Sequence, residues 1–406
     1  MDERHKTVVL LSHEYPPYVF GGVATYSKQV AEWLSNNGWK VFVVSGKADV
    51  SKRVSMERIS NNLTITRVYF PEIPPRWLLY AMPVRNYLEK LLPRYNAVIL
   101  SNSPLTWLTT RRLRKLGKSM KCVTIFHGSI YSLLAFFQYV SRSDIGKLSL
   151  GELAYYAEIP LHNYLIKKDL LVSDHYIFVS RHVEMEYKQL YSDLSKDIHY
   201  RGTVIYPGIE YEYLAKLRQN IKRVKKGKIV IAYVGRLYYT KGITHAVKVI
   251  EYLVKEGHEK NVTLWIFGRG PLEPWLNQYI KRKELTTHIK YFEFVERTML
   301  LSLLAKYVDV LLHPSLYEGA PLAVMETQAL GIPVVAYDLP WSQEFILQGI
   351  NGYRAQYSDI ARLSKYLIKA IELKPEKVAY TARRYDREIA FLALEGLIAE
   401  VLNTSR

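Results

Sequence analysis

Two series of short hydrophobic segments alternate along the chain with longer segments whose apolar residues recur at helical spacing. This alternation predicts parallel β-strands connected by helices, that is, an α/β protein. The first series comprises Thr7–Ser12, Lys40–Ser45, Ala97–Ser101, Cys122–Phe126 and His175–Ser180. The second series comprises Ile229–Val234, Val262–Phe267, Ile289–Val295, Val308–Leu312 and Ile332–Tyr337.

Helices predicted between these strands complete two doubly wound domains. Val23–Asn36 carries one apolar face and is followed by Gly38, a common helix stop. The pattern weakens around residue 200, so we predict one domain over 1–200 and a second over 201–385, facing a central cleft. A last helix is predicted over Asp386–Leu402. In doubly wound folds, ligands bind beyond the carboxyl ends of the strands.

The composition is that of a globular chain, with 406 residues, 49% hydrophobic and 23% charged. It excludes a disordered chain, a collagen-like fibre and a small disulfide scaffold. The single cysteine, Cys122, excludes an internal disulfide and a zinc site with several thiolates. The N-terminus is charged, and no apolar run reaches the roughly 18 residues of a membrane span. We expect a cytoplasmic protein, either free or bound peripherally to the cytoplasmic face of a membrane.

Positive charge is concentrated in two segments. Overall, 56 basic and 38 acidic residues give a net charge of +18. Residues 51–121 contain 14 Lys or Arg and three acids, and residues 218–228 contain six Lys or Arg and no acid. Such clusters attract polyanions, whether nucleic acid, anionic lipid or phosphorylated ligands.

Glycine-containing loops follow several predicted strands. Gly21 and Gly22 precede the first helix, where backbone N–H groups can approach a phosphate closely; a flexible turn is the alternative. In the second series, Arg236 and Lys241 share one strand-to-helix loop. A guanidinium fork and an ammonium suit a phosphate there, whereas two solvated surface cations are the alternative. Gly268–Pro271 repeats the pattern, either as site lining or as a tight turn.

The segment His313–Val335 carries the densest signal. Glu318 follows a strand, and Glu326 lies eight positions later within an apolar helix. A buried acid there needs a partner, and the vicinal hydroxyls of a ribose are suitable; two unrelated surface acids are the alternative. His127 directly follows the fourth strand, where it is either a cleft residue or a hydrogen-bonded structural histidine.

Together these motifs resemble the retaining glycosyltransferases of family 4 (glycosyl transferases group 1), which have the GT-B fold. The order and spacing of the motifs carry the resemblance over nearly the whole chain. The motifs are His13–Gly22, Phe126–Gly128, Tyr206–Glu210, Gly235–Gly242, Gly268–Pro271, Glu318–Glu326 and Gly331–Val335. The resemblance implies an acceptor-side and a nucleotide-sugar-binding Rossmann-like domain, with the last helix, within residues 386–406, crossing back to complete the first domain.

The resemblance also implies a role for each site residue. Arg236 and Lys241 would bind the donor diphosphate, Glu318 would hold the transferred sugar, and His127 would lie near it; these four form the implied catalytic set. Glu326 would accept the ribose hydroxyls. The other implied donor-binding residues are Gly21 and Gly22, Val295 beside the base, and the backbone cradle Gly319, Ala320, Pro321 and Leu322.

The implied reaction transfers a hexosyl group from a nucleotide-diphosphate sugar to an acceptor with retention, and the departing phosphate helps to deprotonate the acceptor. Arg236 and Lys241 can neutralise that leaving group, and the sequence has no Asp-x-Asp element. We therefore expect neither a metal ion nor a cofactor. Two positions depart from the family pattern: Glu293 stands where a glycine is usual, and Pro207–Glu210 replaces Pro-Asn-Gly-Val-Asp.

The first domain is expected to determine the acceptor. Trp77 and Trp107 lie beside arginines in the basic segment 51–121, and Ser129–Val140 is apolar. This pattern favours an anionic lipid surface and a lipid-linked or membrane-borne acceptor; a solvated basic face over an ordinary core is the alternative. A nucleic-acid-binding protein and an inactive nucleotide-sugar-binding protein of the same fold also stay open. We expect no nucleic acid partner, since no motif for one is present.

Overall fold

The structure, a computed structural model, describes residues 6–19, 21–47, 54–71, 76–92, 96–115, 120–139, 157–224, 227–258 and 262–404. The chain forms two compact α/β units. The first unit combines Met1–Ile130, Leu150–Pro207 and Ala390–Arg406, and the second combines Tyr131–Ser149 and Gly208–Ile389. Among the described helices, none is both long and apolar enough to cross a membrane.

An eight-stranded sheet forms the centre of the first unit. Its strands are β1 Thr7–Leu11, β2 Lys40–Gly46, β3 Val54–Arg58, β4 Leu63–Val68, β5 Ala97–Asn102, β6 Lys121–Phe126, β7 His175–Phe178 and β8 Gly202–Val204. Their order is β3-β4-β2-β1-β5-β6-β7-β8. All neighbours are parallel except β3 and β4. Strand β1 is buried along its whole length, as expected for a parallel sheet covered on both faces.

The second unit contains a six-stranded parallel sheet. Its strands are β9 Ile229–Val234, β10 Val262–Phe267, β11 Ile289–Phe292, β12 Val310–Leu312, β13 Val334–Tyr337 and β14 Gly352–Ala355. Their order is β11-β10-β9-β12-β13-β14, so the direction of winding reverses between β9 and β12. The carboxyl ends of these two strands therefore lie at the topological switch point, where doubly wound sheets bind ligands.

Helices connect the strands in both units. Through residue 201 they are α1 Gly22–Asn36, α2 Arg76–Leu91, α3 Thr106–Lys115, α4 Tyr131–Tyr139, α5 Ile159–Val172, α6 Arg181–Leu190 and α7 Ser195–Arg201. The later ones are α8 Tyr211–Asn220, α9 Ile243–Leu253, α10 Glu273–Arg282, α11 Arg297–Tyr307, α12 Leu322–Ala329, α13 Pro340–Phe345, α14 Ile360–Ala370, α15 Pro375–Ala382 and α16 Arg387–Asn403.

Helix α16 returns the chain to the first unit, as the resemblance implied. The ring of Phe391 meets Tyr26 and Trp33 edge to face, with centroids 6.2 and 5.8 Å apart. The carboxylate of Glu395 accepts a hydrogen bond of 3.0 Å from the indole N–H of Trp39. Since Phe391 and Trp39 are almost fully buried, this helix completes the core of the first unit.

The predicted domain boundaries need correction. The boundary at 200/201 is wrong because β8 pairs with β7 in the first sheet, and the chain enters the second unit only at Gly208. Residues 1–200 also include α4, which groups with the second unit. The Tyr357 hydroxyl donates to the Tyr139 carbonyl at 2.6 Å, and their rings lie 4.7 Å apart.

All ten predicted strands are present, and five of them, β1, β7, β11, β12 and β13, are shorter than predicted. Four strands, β3, β4, β8 and β14, were not predicted. Strand β3 is almost entirely exposed at the sheet edge, so its sequence carries little of the hydrophobic signal of a central strand. Several basic residues of the two charged segments lie outside the described residues, namely Lys52, Arg53, Arg94, Lys118, Lys225 and Lys226.

Candidate functional site

The loops after β9 and β12 lie against each other because these strands are neighbours in the second sheet. The Leu316 amide donates to the Thr240 carbonyl at 2.8 Å. At Gly242 the backbone has φ +73°, and a Cβ atom would lie 2.1 Å from the Pro314 carbonyl oxygen. No other residue fits both the left-handed conformation and the close approach. Gly242 therefore sets how closely the two loops approach.

This close approach brings Lys241 to Glu318. The Lys241 ammonium lies 2.7 Å from Oε1 of Glu318, and Nε2 of His313 lies 3.0 Å from the same oxygen. The side chains of Lys241 and Glu318 are only 22% and 13% exposed. Burial alone would raise the pKa of Glu318, but the Lys241 charge and the His313 hydrogen bond hold it below the ordinary glutamate range,.

Tyr233, on β9, supports the loop that carries the two predicted cations. Its hydroxyl lies 3.0 Å from the Arg236 carbonyl and 3.2 Å from the Lys241 carbonyl. Tyr233 is buried, so its hydroxyl fixes the loop from the interior of the unit. The Arg236 side chain is exposed and lies over the Tyr238 ring at 4.8 Å. No carboxylate in the described ranges forms an ion pair with it.

The glycines of Gly268–Pro271 serve backbone packing. Gly268 has φ +141°, and a Cβ there would lie 2.0 Å from the Gly235 carbonyl oxygen. A Cβ at Gly270 would lie 2.6 Å from the Leu237 carbonyl oxygen. The tight-turn interpretation therefore accounts for both residues, which hold the β10 loop against the Arg236 loop.

Val295 lies between β11 and α11, partly buried, at the same edge of the sheet. The departing residue Glu293 points its carboxylate outward to Arg269, 2.6 Å away, with both side chains more than half exposed. Its backbone carbonyl accepts from the Gly268 amide at 2.9 Å. The loop before Val295 is thus anchored through the backbone, despite the missing glycine.

The predicted cradle leads from Glu318 into α12. Gly319, Ala320 and Leu322 are partly buried, and Pro321 is buried immediately before the first helical residue. The Pro321 carbonyl accepts from the amides at 324 and 325. The amides that begin α12 therefore lie close in sequence to Glu318, in the position that suits an anionic ligand.

Glu326, the second acid, has a protein partner that the sequence did not reveal. Nε and Nη2 of Arg297 lie 3.0 and 2.6 Å from its Oε1. Nη1 of Arg297 also contacts Glu210 at 2.8 Å, and Arg387 contacts Glu210 at 3.0 Å. Burial raises the pKa of Glu326 above the ordinary glutamate range, and the Arg297 charge offsets only part of that rise.

His127 in the first unit is held by a buried polar network at the ends of β1 and β5. Nδ2 of Asn102 donates to Ser12 at 3.0 Å and to Ser27 at 3.3 Å, so its Oδ1 faces His127 Nε2 at 2.8 Å as an acceptor. The Tyr26 ring packs edge-on at 5.2 Å. Nε2 therefore carries the proton and Nδ1 is left as an acceptor.

The same surroundings keep the His127 ring uncharged. Burial lowers the pKa of His127 to about 4, with a smaller contribution from the charge of His13. The structural interpretation of this histidine is thus supported, since Asn102 and Tyr26 fix its ring. An uncharged imidazole held in this way can accept a hydrogen bond from a hydroxyl group.

Gly21 and Gly22 lie where the first helix begins. Gly22 is the first residue of α1, and the Gly21 amide donates to the Glu14 carboxylate at 2.9 Å. A Cβ at Gly21 would meet no atom within 4 Å, so packing does not explain this glycine. The loop is closed on itself by Glu14, a contact that the sequence did not predict.

The predicted site residues fall into two groups, one in each unit. Arg236, Lys241, Val295, Gly319–Leu322 and the two glutamates lie at the carboxyl edge of the second sheet, whereas Gly21, Gly22 and His127 lie at that of the first. Three supporting residues were missed, Tyr233, Arg297 and Asn102. Glu210 and His313 were quoted only as members of motifs, although the position of His313 directly after a strand could have identified it.

Both halves of the chain match known protein families. Residues 20–213 match the family described as Glycosyltransferase Family 4, and residues 216–387 match the family described as Glycosyl transferases group 1. With the two-sheet fold, these matches identify the chain as a glycosyltransferase of family 4 with the GT-B fold. They favour a transferase over the nucleic-acid-binding alternative.

Individual relatives agree with this assignment. The chain is 26% identical over 360 residues to an uncharacterized glycosyltransferase of Methanocaldococcus jannaschii, covering 85% of this chain and 84% of the relative. It is 25% identical over 193 residues to the UDP-Gal:alpha-D-GlcNAc-diphosphoundecaprenol alpha-1,3-galactosyltransferase of Escherichia coli, covering 46% and 48%. Sucrose-phosphate synthase of Thermosynechococcus elongatus superposes with a TM-score of 0.78 at 17% identity, covering 99% and 100%.

Replacing Tyr233 by phenylalanine removes the hydroxyl but keeps the buried ring. We expect the free energy of unfolding to fall by about 1–3 kcal/mol, the usual cost of leaving buried polar groups without a partner. Urea unfolding of Tyr233→Phe measures the change. The matched control is Tyr380→Phe, since Tyr380 is 70% exposed. Equal stability of Tyr233→Phe and the wild type would contradict the supporting role of the hydroxyl.

Glu318→Gln should lower stability at neutral pH because Lys241 then stays buried without its counter-charge. The depressed pKa of Glu318 means that its contribution is present above the ordinary glutamate pKa of about 4.3 and is lost as the pH falls below it. Denaturant unfolding between pH 7 and 3 should therefore show a difference from wild type that is constant above about pH 5 and narrows below about pH 4. The exposed Glu372→Gln is the control; a difference that widens on acidification would refute the ion pair.

Proposed function

We propose that this glycosyltransferase moves a hexosyl group from a nucleotide-diphosphate sugar to an acceptor with retention and without a metal ion. The observation that carries the proposal is the contact between Lys241 and Glu318 at the switch point of the second sheet. The bond to be broken joins the sugar to the diphosphate. The carboxylate that binds the sugar and the ammonium that binds the phosphate must therefore be neighbours. Glu318 and Lys241 meet this requirement.

Charge at the leaving group favours the same interpretation. Negative charge develops on the diphosphate as the glycosidic bond breaks, and fixed cations stabilise it most when water is excluded. Lys241 is partly buried, and Arg236 reaches outward from the same loop. Both cations can donate hydrogen bonds to diphosphate oxygens, which supports metal independence as part of the proposal.

The remaining donor contacts follow the geometry of the second unit. The amides of Gly319–Leu322 would receive sugar and phosphate oxygens at the start of α12, Glu326 would accept the ribose hydroxyls, and Val295 would lie beside the base. The relative from Escherichia coli carries UDP-Gal in its name, which supports a nucleotide sugar as donor. In the first unit, Gly21, Gly22 and His127 are proposed as ligand-binding residues on the strength of the resemblance alone.

The proposed chemical step keeps attack and departure on one face of the sugar. The acceptor oxygen forms a bond to the anomeric carbon while the bond from that carbon to the phosphate oxygen breaks. The acceptor proton passes to the departing phosphate oxygen. No side chain needs to act as a nucleophile, and the configuration at the anomeric carbon is retained.

The acceptor is proposed to be lipid-linked or membrane-borne, and the protein to lie peripherally on the cytoplasmic face of an anionic membrane. The name of the Escherichia coli relative includes a diphosphoundecaprenol acceptor. In the first unit, α5 presents a stripe of exposed residues at helical spacing, Leu161, Tyr164 and Leu171, which are 40%, 50% and 49% exposed. Exposed aliphatic and aromatic side chains beside cations suit the interface of a membrane.

Basic side chains lie over aromatic rings in and beside this stripe. Lys168 lies over the Tyr164 ring at 5.2 Å, and Tyr164 meets Trp107 of α3 edge to face at 6.1 Å. The Arg111 guanidinium lies over Trp107 at 4.7 Å. These residues form one mixed aromatic and basic surface, which we call the α3/α5 surface (Trp107, Arg111, Leu161, Tyr164, Lys168 and Leu171).

The donor proposal is tested with a panel of UDP-, GDP- and ADP-sugars. We expect the wild type to bind and slowly hydrolyse at least one of them, and Lys241→Ala to lower the rate by roughly 10²–10³, the usual effect of removing a charge-stabilising donor. Lys283→Ala is the matched control, since Lys283 pairs with Glu251 in the same unit, at 2.9 Å. Thermal unfolding of each variant establishes that it is folded.

Two results would count against the donor proposal. Binding without turnover by the wild type, with any acceptor tried, would favour the inactive sugar-nucleotide-binding alternative. If no nucleotide sugar binds, the proposed transferase mechanism is wrong. A rate that depends on added Mg²⁺ or Mn²⁺ and disappears with a chelator would refute metal independence alone.

Membrane association is tested by co-sedimentation with vesicles. We expect binding to phosphatidylglycerol-containing vesicles, weak binding to pure phosphatidylcholine, and release at high salt, because each basic residue near an anionic surface contributes about 1 kcal/mol. The double variant Arg111→Glu/Lys168→Glu should lose roughly tenfold or more in partitioning by the same measure. Lys255→Glu, at an exposed lysine of the second unit, should bind like the wild type. Equal binding to both vesicle types would refute the proposal.

A further inference from the structure

Arg297 approaches Glu326 in an asymmetric way. The usual guanidinium fork engages both oxygens of a carboxylate. Here Nε and Nη2 converge on Oε1 alone, at 3.0 and 2.6 Å. In the part of the chain that the structure describes, no protein donor bonds Oε2 of Glu326. One oxygen is thus held by the protein, and the other keeps its hydrogen-bonding capacity.

Arg297 is itself fixed by a second carboxylate. Its Nη1 lies 2.8 Å from Oε2 of Glu210, while Oε1 of Glu210 accepts from Arg387 at 3.0 Å. The four residues alternate in sign as Arg387, Glu210, Arg297 and Glu326. All four side chains are at most one-third exposed. This four-residue chain has no net charge, so none of its members is left buried without a counter-charge.

The backbone at the far end of the four-residue chain is also fixed. The Ile209 amide donates to the Tyr385 carbonyl, and the Arg387 amide donates to the Ile209 carbonyl, both at 2.8 Å. Glu210 and Arg387 are therefore adjacent because two segments distant in sequence are hydrogen-bonded there. The position of Arg297 is set by secondary structure, as it begins α11, and its orientation is set by Glu210.

We propose that Arg297 is a positioning residue that determines recognition of the donor ribose, with Glu210 as its anchor. By holding Oε1, Arg297 fixes the rotamer of Glu326 and presents Oε2 to the vicinal hydroxyls of the ribose. This inference rests on the role of Glu326 in the proposed function. It adds two residues, Arg297 and Glu210, which do not contact the ribose themselves. They determine how strongly Glu326 binds it.

Physical chemistry explains why the glutamate needs this support. A carboxylate within an apolar helix is pushed toward its protonated form by burial, and the negative charge of Glu210 adds to that effect,. A protonated Glu326 would offer a weaker acceptor to the ribose. Arg297 counters both effects and restricts the side chain, and a lysine at this position could not make two convergent bonds.

The experiment compares two nucleotides by isothermal titration calorimetry. The first is whichever of UDP, GDP and ADP the wild type binds, and the second is its 2′,3′-dideoxy form. We expect the wild type to prefer the ribonucleotide by roughly tenfold or more. In Arg297→Gln this preference should collapse to about twofold, while affinity for the dideoxy form changes little, since only the ribose contact is lost.

Milder substitutions of Arg297 and Glu210 should reduce the preference for the ribonucleotide by a smaller amount. Arg297→Lys and Glu210→Gln should each give an intermediate preference, because one keeps the charge without the fork and the other weakens the anchor. Arg354→Met is the matched control: Arg354 pairs with Asp338 at 3.6 Å in the same unit and is partly buried, and this variant should retain the wild-type preference. Thermal unfolding identifies any variant that binds weakly because it is unfolded.

The outcomes separate the inference from the proposed function. If Arg297→Gln is folded and loses affinity equally for both nucleotides, Arg297 has a structural role only and the inference is wrong, although the proposed function stands. If the wild type prefers the ribonucleotide and Arg297→Gln keeps that preference, the inference is also wrong. If the wild type binds no nucleotide, or does not distinguish the two forms, both the ribose role of Glu326 and the inference built on it are overturned.

Discussion

The site in the second unit depends on burying a carboxylate between two loops. Moving Glu318 out of water is costly, and the ammonium of Lys241 with the imidazole of His313 offsets that cost at one oxygen,. The contact requires the loops after β9 and β12 to approach so closely that only glycine fits at position 242. The ion pair between Lys241 and Glu318 thus depends on two other features. These are the neighbouring positions of β9 and β12 in the sheet and the backbone conformation of Gly242.

Local charge balance distinguishes the site from the surface of the molecule. The buried acids at the site are paired, Glu318 with Lys241 and Glu326 with Arg297, so the site itself contributes little net charge. Arg236 is the exception. It is an exposed cation on a loop whose carbonyls accept hydrogen bonds from the Tyr233 hydroxyl. The large positive charge of the protein lies mainly elsewhere, in segments whose contacts concern surfaces rather than the reacting bond. Net charge therefore gives little information about the chemistry of this enzyme.

Sequence patterns predicted the features that repeat and missed those that depend on packing. The central strands were predictable because continuous burial leaves a hydrophobic run, and α1 because one face of it is apolar. Lys241 and Glu318 were singled out because loops after parallel strands share one edge of a sheet, and Glu326 because an acid is unusual in an apolar helix. Strand β3 carries no such run. Arg297 was not recognisable, since its partners Glu210 and Glu326 lie 87 and 29 positions away. Asn102 and its network were hidden for the same reason, and the grouping of α4 with the second unit follows from contacts with Tyr357.

The path of α16 has a consequence for how the protein is made. The first unit uses residues from both sides of the second unit, so Trp33 and Trp39 acquire Phe391 and Glu395 as neighbours only after residues 208–389 have been synthesised. A nascent chain can therefore form its first sheet early but cannot complete the helical layer of its first unit before its second unit has emerged from the ribosome. A product cut short before α16 would keep those tryptophans uncovered, a state that chaperones and proteases recognise, so quality control can discriminate against incomplete enzyme.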